Sequence, residues 1–357
     1  MISYLKYCIL STGLIYGSFV TVNILLDPLH FLGTSILPVK GAGNPRFDKI
    51  EYLKDHHQNF NTYIFGSSRA GALNPQEVNR LLPGAKTYNM TCNSCNQYEN
   101  ILHLRYFLKN GYPVKNILLM VEIYHINVWK VRQDDFTAKV HPEVTGESVL
   151  LFNLDYATSI APPLISKVIT NNINGTQRVF AKDGLIDFSR KEKLIAQGHE
   201  EYIERVFGHD KPPSRAPEDR EQKPQPMQAL AEIVELAKDN DINLFVFFAP
   251  NHHSYINSYS IDDYIAFLRK IVSITDFWDF GGLNSVTTDN HNYYEQSHFR
   301  YSVGDQVLEI LLNDKASADA DYPWFGQLVT GENIESVVKR KRDEYNNFIA
   351  ERNYFSD

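Results

Sequence analysis

The most marked feature of the hydrophobic pattern is one long apolar run close to the amino terminus. From Tyr7 to Leu26 no residue is charged, and Lys6 and Asp27 flank the run. About 20 such residues suffice to cross a bilayer as a helix. Positive charge before the run favours a cytoplasmic start and an exported remainder, and no small-x-small cleavage pattern follows it. The pattern predicts an uncleaved signal anchor within residues 1–30, with a buried core helix as the alternative.

After the anchor, the polar and apolar positions predict a turn-rich stalk at residues 31–57 and then alternating strands and helices. The strand predictions, from short apolar runs, are residues 62–65, 86–90, 116–123, 242–249 and 275–280. The helix predictions, from helical spacing, are residues 74–82, 96–109, 227–240, 261–272, 302–312 and 334–345. Strands separated by helices predict an α/β fold, a parallel sheet with helices on both faces.

The alternation of predicted strands and helices also indicates the domain organisation. It predicts one domain over residues 58–330, interrupted at about residues 124–226 by an insertion, and a charged carboxyl-terminal helix at 331–357. Within the insertion, residues 209–226 hold five prolines among charged residues and almost no large apolar side chain. Such a composition predicts a mobile linker.

Composition narrows the classes of partner. Of the 357 residues 43% are apolar, and the formal net charge is −8, which argues against a nucleic-acid partner. The three cysteines make a poor disulfide framework, and the single C-x-x-C of Cys92 and Cys95 has no second pair to complete a structural zinc site. An oxidised Cys92–Cys95 loop and two free thiols both stay open.

Candidate chemistry lies in two short patterns far apart in the chain. Ser68 ends an apolar strand in the sequence Gly66-Ser67-Ser68, and Glu295 precedes His298 by three residues. The spacing favours one helical turn in which the acid orients the imidazole while the other ring nitrogen faces the serine. Ser68 as a simple helix cap is the alternative, and Asp289 is an alternative orienting acid.

These patterns resemble the SGNH superfamily of GDSL-type serine esterases and acyltransferases, particularly its membrane-anchored extracytoplasmic branch. Gly66-Ser67-Ser68 stands for the Gly-Asp-Ser block, and Glu295-x-x-His298 stands for Asp-x-x-His. The resemblance implies a three-layer α/β/α flavodoxin-like sheet. It also implies Ser68 as nucleophile, His298 as base and Glu295 as orienting acid, with no metal or organic cofactor.

The oxyanion donors are less well defined by the resemblance. The N–H of Ser68 and a donor from Thr91, Asn93 or Asn127 are the candidates, because residues 89–94 lack the glycine of the second family block and Gly-x-Asn is missing after residue 121. The implied reaction is acyl transfer or ester hydrolysis on an extracytoplasmic carbohydrate or another cell-envelope substrate. The alternative is a binding or scaffold component, without efficient catalysis, that works with the envelope proteins of a surface-polysaccharide assembly. In both cases the protein is expected to be a single-pass membrane protein with its domain in the periplasm or at the cell surface.

Overall fold

A computed structural model describes residues 2–123, 135–159, 162–175, 181–208, 225–256, 260–313 and 324–352. Asn127 and residues 209–224 of the predicted linker lie outside these ranges. The chain forms two compact units, Met1–Lys54 with Val131–Val179 and Asp55–Lys130 with Phe180–Asp357. The domain boundaries expected from the sequence stay a prediction.

The described helices and strands are numbered in chain order. The helices are α1 (Ile2–Leu26), α2 (Pro45–His56), α3 (Pro75–Leu81), α4 (Gln97–Lys109), α5 (Pro142–Thr145), α6 (Val149–Thr158), α7 (Pro162–Asn174), α8 (Ser189–Gln197), α9 (His199–Phe207), α10 (Gln225–Asp239), α11 (His253–Ile256), α12 (Ile261–Val272), α13 (Tyr301–Asn313) and α14 (Ile334–Arg352). The strands are β1 (Thr62–Phe65), β2 (Thr87–Asn89), β3 (Asn116–Val121), β4 (Asn243–Phe248), β5 (Phe277–Asp279), β6 (Tyr293–Glu295), β7 (His298–Phe299) and β8 (Gln327–Val329).

Helix α1 of the first unit is long and apolar enough to cross a membrane, as the sequence predicts. Three of its hydroxyl groups are satisfied within the helix, because Ser11, Ser18 and Thr21 donate to carbonyl oxygens one turn earlier at 2.7–2.8 Å. Such internal bonds leave these three hydroxyls with no need of water. The helix is therefore compatible with association with a membrane.

The segment predicted as a stalk contributes to the packed core of the first unit. Residues 31–57 contain α2, whose Phe47, Ile50 and Leu53 are buried. Phe31 stacks on Phe47 with ring centroids 4.0 Å apart, and Phe152 of α6 lies 5.6 Å from Phe31. The turn-forming residues that favour a stalk thus separate short segments whose aromatic side chains pack together.

The second unit is built on a six-stranded sheet with the order β2-β1-β3-β4-β5-β8. Strands β1 to β5 pair in parallel, and β8 pairs antiparallel with β5. The predicted α/β class with a mostly parallel sheet is confirmed, and all five predicted strands form within a few residues of their expected bounds. The sequence does not predict β8 or the separate hairpin of β6 and β7, because strands of two or three residues carry little periodicity.

Helices cover both faces of this sheet because successive side chains of a strand point to opposite faces. On one face, Ile64 and Leu118 belong to a core cluster with Val78 of α3 and Val307 of α13. On the other face, the rings of Tyr63 and Phe107 of α4 lie 4.7 Å apart, and Phe248 contacts Tyr264 and Phe267 of α12. The continuous apolar runs of β1 and β3 reflect this burial on both sides.

Gly66 forms the sharp turn between β1 and the segment that carries Ser68. Its φ is +153°, and a Cβ atom there would lie 3.0 Å from the Cβ of Met120 and 3.1 Å from the Cβ of Ala70. Both the backbone conformation and the close approach to β3 therefore require glycine.

Replacing Gly66 by alanine is expected to destabilise the second unit by about 1–3 kcal/mol, because strain and crowding add at one position. Gly84 is a matched control, since its φ is +80° but a Cβ there would meet nothing within 4 Å. Thermal unfolding followed by circular dichroism should show a larger loss for Gly66→Ala than for Gly84→Ala. Equal losses would mean that the contact with Met120 and Ala70 is unimportant.

Candidate functional site

Ser68 lies at the carboxyl end of β1, where the chain turns into the short 3₁₀ helix Ser68–Ala72. Ser67 precedes it and caps this helix, since its Oγ accepts a hydrogen bond from the N–H of Arg69 at 3.2 Å. Ser67 therefore caps this helix, and the alternative interpretation of Ser68 as a simple helix cap does not apply. Ser67 and Ala70 are buried, whereas Ser68 is partly exposed. The fold therefore presents Ser68 at the edge where parallel α/β sheets bind ligands.

Glu295 and His298 lie on a β-hairpin and not on the helical turn that their spacing favours. Glu295 ends β6, His298 begins β7, and the two residues are direct partners across the strands. Facing residues of an antiparallel pair lie close together on one side of the hairpin. The two-residue connection of Gln296 and Ser297 thus achieves the same proximity as a turn of helix.

A continuous chain of hydrogen bonds joins the three residues. His298 Nε2 lies 2.9 Å from Ser68 Oγ, and His298 Nδ1 is hydrogen-bonded to Glu295 Oε1. Because an ionised carboxylate only accepts, Nδ1 carries the proton and Nε2 is left to accept from the serine hydroxyl. Asp289, the alternative acid, instead accepts from the ring Nδ1 of His291 at 2.8 Å.

Lys191 of α8 is a neighbour of this chain that the sequence does not indicate. Its Nζ forms an ion pair with Glu295 Oε2, and it lies 5.6 Å from the ring centroid of Phe188 and 5.5 Å from that of Tyr294. Burial acts to raise the pKa of Glu295, but the bonds and charges of His298 and Lys191 outweigh it and leave the pKa below its usual value. The carboxylate is therefore held ionised against the imidazole.

The hairpin is fixed by tyrosines whose hydroxyl groups reach other elements of the second unit. Tyr293 donates to the carbonyl of Pro250 at 2.9 Å, and Tyr294 donates to Glu192 of α8 at 2.6 Å. Glu192 also binds Arg300, just after β7, at 2.6 Å. Helix α8 thus holds both the acid and the strand that carries His298. The sequence offers no signal for this role, because α8 lies in the stretch without a strand–helix rhythm.

A buried ion pair lies directly behind Ser68. Glu122 follows β3, its side chain is fully buried, and its carboxylate accepts from Ser67 Oγ and from the guanidinium of Arg69. The side chain of Arg69 is only 11% exposed. One carboxylate therefore joins the ends of neighbouring strands β1 and β3 and fixes the residues on both sides of Ser68.

The structure distinguishes among the candidate oxyanion donors. The N–H and the hydroxyl of Thr91 both donate to Asn89 Oδ1, so these donors are already engaged. Asn93 is exposed and follows Cys92, which pairs with Ser67 in an isolated parallel bridge. Ser68 and Asn93 each directly follow one residue of this bridge. Asn127 falls outside the described residues.

Cys92 and Cys95 are not joined by a disulfide in the structure, and both are buried. Their sulfur atoms and a carboxylate oxygen of Glu99 lie within 4.8 Å of one another. These three groups are the set that could hold a metal ion among the described residues. The two cysteines lie on the β2–α4 connection, and Glu99 lies in the first turn of α4.

Comparison with known proteins leaves the chemistry of this site to be inferred from its geometry. No family model matches the chain, and a search of curated proteins found no match. The site itself offers a partly exposed hydroxyl, an imidazole that can take its proton, and a carboxylate that fixes the ring. Such an arrangement can activate an oxygen nucleophile.

Removing Glu122 is expected to destabilise the second unit by about 3–5 kcal/mol, because Glu122→Gln leaves the charge of Arg69 buried without its counter-ion. The exposed pair Arg269–Glu335 is the matched control, and Glu335→Gln should have a far smaller effect. Urea unfolding of both variants measures the difference. The double variant Glu122→Gln with Arg69→Met should recover part of the loss, and no recovery would contradict the pairing.

Stability should also depend on pH through Glu295. Because its pKa is lowered on folding, the carboxylate stabilises the fold above its usual pKa of 4.5, and this contribution is lost as the pH falls through the lowered value. Melting temperatures measured from about pH 6 to pH 3 should therefore fall more steeply for wild type than for Glu295→Gln. Lys191→Met should move the loss to higher pH. Parallel curves for all three proteins would contradict the ion pair.

Proposed function

We propose that this chain is a serine esterase or O-acyltransferase of the SGNH type, acting on an ester of an extracytoplasmic carbohydrate or another cell-envelope substrate. The observation that carries the proposal is the hydrogen bond of 2.9 Å between His298 Nε2 and Ser68 Oγ. Its support is that the acid needed to orient the imidazole is bound at the opposite ring nitrogen. All three roles of a catalytic triad are then filled by side chains in contact.

In the proposed reaction, Ser68 Oγ attacks the ester carbonyl carbon while its proton passes to His298 Nε2. The tetrahedral intermediate collapses, the C–O bond to the alcohol breaks, and the imidazolium returns the proton to the leaving oxygen. The acyl group is now on Ser68. Water or a sugar hydroxyl then attacks the acyl carbon while His298 takes its proton. The bond to Ser68 Oγ breaks and the proton returns to Oγ, which gives hydrolysis or transfer respectively.

The carboxylate of Glu295 balances the positive charge that forms on the imidazole of His298 during the reaction. The imidazolium forms against a carboxylate that Lys191 already holds ionised, so no proton has to leave the acid. The backbone N–H of Ser68 and a donor from Asn93 are proposed to hold the oxyanion. Asn93 is favoured over Thr91 because Asn93 is exposed at the surface, whereas Thr91 is buried.

The sheet supports the flavodoxin-like part of the proposal. The parallel strands follow the order 2-1-3-4-5, which is that of flavodoxin-like doubly wound sheets. In that order the direction of winding reverses between β1 and β3, and ligands bind outside the strands at this point. Ser68 follows β1, and the Arg69–Glu122 pair bridges the reversal.

The substrate class is proposed from attachment and chemistry together. An apolar α1 favours a catalytic unit tethered at a membrane, where esters on envelope glycans are within reach. The mechanism requires no metal or organic cofactor, since the three side chains supply nucleophile, base and counter-charge. Hydrolysis and transfer differ only in the acceptor that enters.

A second function is favoured by one observation in the β2–α4 connection. The N–H and hydroxyl of Thr91 are engaged by Asn89, and residues 89–94 lack glycine, so one of the candidate oxyanion donors is removed. Loss of one such donor costs about 10²–10³ in rate. A binding or scaffold component of a surface-polysaccharide assembly would tolerate such a site. Reactivity of Ser68 separates the two functions.

Labelling with a serine-directed fluorophosphonate is expected for wild type and absent for Ser68→Ala. His298→Gln should slow labelling by about 10³-fold or more, because nucleophile and base act as a unit. Ser297→Ala is the matched control, since this serine lies in the turn beside His298 and should not affect the rate. Equal labelling of wild type and Ser68→Ala would overturn the enzyme proposal. No labelling of folded wild-type protein would favour the scaffold.

A further inference from the structure

The first unit presents an apolar surface beside α1 that the proposed reaction does not use. It is the outward face of α6, where Leu150, Leu151 and Leu154 are 75%, 61% and 57% exposed. These leucines share one side of the helix, since positions 150, 151 and 154 cluster within about a third of a helical turn. The opposite side is buried, with Phe152 and Tyr156 packed on Phe31. We define Leu150, Leu151 and Leu154 as the leucine face.

The carboxyl end of α6 is bound to the second half of α1. The buried side-chain amide of Asn23 donates to the carbonyls of Tyr156, Ala157 and Ser159 at 2.8–3.1 Å, and the Tyr16 hydroxyl donates to the carbonyl of Thr158 at 3.2 Å. Asn23 and Tyr16 lie three and ten residues before the end of α1, roughly 5 and 15 Å along its axis. A membrane that surrounds α1 therefore also surrounds the end of α6.

The backbone at this end is adapted to surroundings without water. The last carbonyls of a helix have no partners within it, and each unsatisfied group is costly in hydrocarbon. Here Asn23 and Tyr16 satisfy these carbonyls, while the hydroxyl groups of Thr158 and Ser159 donate back into α6 at 2.8 and 2.7 Å. Pro162 and Pro163 open α7, and proline has no N–H to satisfy.

The segment that contains α6 also has few charged residues. Asp155 is the only charged residue between Ser148 and Pro162, and its carboxylate is paired with Lys139 at 3.0 Å. A contiguous exposed apolar face of this kind marks a site of contact with a membrane or with another protein. Because α1 and the leucine face belong to one packed unit, lipid around α1 would also reach the leucine face.

We propose that α6 is a membrane-interfacial helix whose leucine face and carboxyl end insert into the leaflet next to the carboxyl half of α1. The occupant of the leucine face is lipid. Asn23 couples the two helices, so the first unit is held to the bilayer by α1 and by α6 together.

Spin-label accessibility tests this proposal on the full chain in phosphatidylcholine vesicles. Cys8→Ala serves as parent, because Cys92 and Cys95 are buried and should not react, and the labelled parent is the blank. Leu150→Cys and Leu154→Cys carry the label, and both positions are exposed enough to leave the packing intact. Leu14→Cys in α1 is the lipid control, and Glu204→Cys on the exposed side of α9 is the water control.

The labels at positions 150 and 154 are expected to collide with oxygen several-fold more often than with a water-soluble nickel chelate. The label at position 14 should give the same result, and the label at position 204 should give the opposite one. Chelate-dominated collisions at 150 and 154 would overturn the proposal by placing the leucine face in water. Protection from both reagents would overturn it too, since a protein contact would then cover the face. Chelate access at position 14 would remove α1 from the bilayer and the proposal with it.

Discussion

The hydrogen bond between His298 and Ser68 is the contact on which the rest of the site depends, and it joins residues 230 positions apart. The end of β1 positions Ser68, and a short hairpin outside the sheet positions His298. Neither serine nor histidine has unusual chemistry alone, since serine is weakly acidic and imidazole is a modest base. The function proposed for them depends on the distance of 2.9 Å between Nε2 of the imidazole and Oγ of the serine.

Two separate supports hold that geometry. Beneath Ser68, the Arg69–Glu122 pair locks the ends of β1 and β3 together, and Gly66 allows the close approach of the turn to β3. Beside His298, α8 supplies Lys191 to the acid and Glu192 to the hairpin. Because the supports come from different parts of the chain, damage to either one should misplace one partner and leave the other in position. A different function is proposed for the first unit, since α1 and the leucine face of α6 both expose apolar side chains.

Much of the second unit could be predicted because its signals are local. Helix α12 forms over the residues expected, and β1 does too, since a buried parallel strand is a continuous apolar run. Ser68 and His298 could be singled out from motifs, but the hairpin that joins Glu295 to His298 could not, because one spacing fits both a turn of helix and a tight hairpin. Lys191 reaches Glu295 through a tertiary contact that leaves no pattern in the sequence. The packing of residues 31–57 also depends on tertiary contacts, so it could not be predicted from a segment rich in turn-forming residues.

If Ser68 is an oxygen nucleophile activated by His298, an acyl intermediate should form on its hydroxyl, and this intermediate can be trapped. Wild-type protein is mixed with an activated acetyl ester, quenched in acid within the first turnover, digested and analysed by mass spectrometry. We expect one acetyl group on the peptide that contains Ser68, mapped to its hydroxyl, and none on that peptide when His298 is replaced by glutamine. An acetyl group on another residue, or equal acetylation of Ser68 without His298, would show that Ser68 does not have this role.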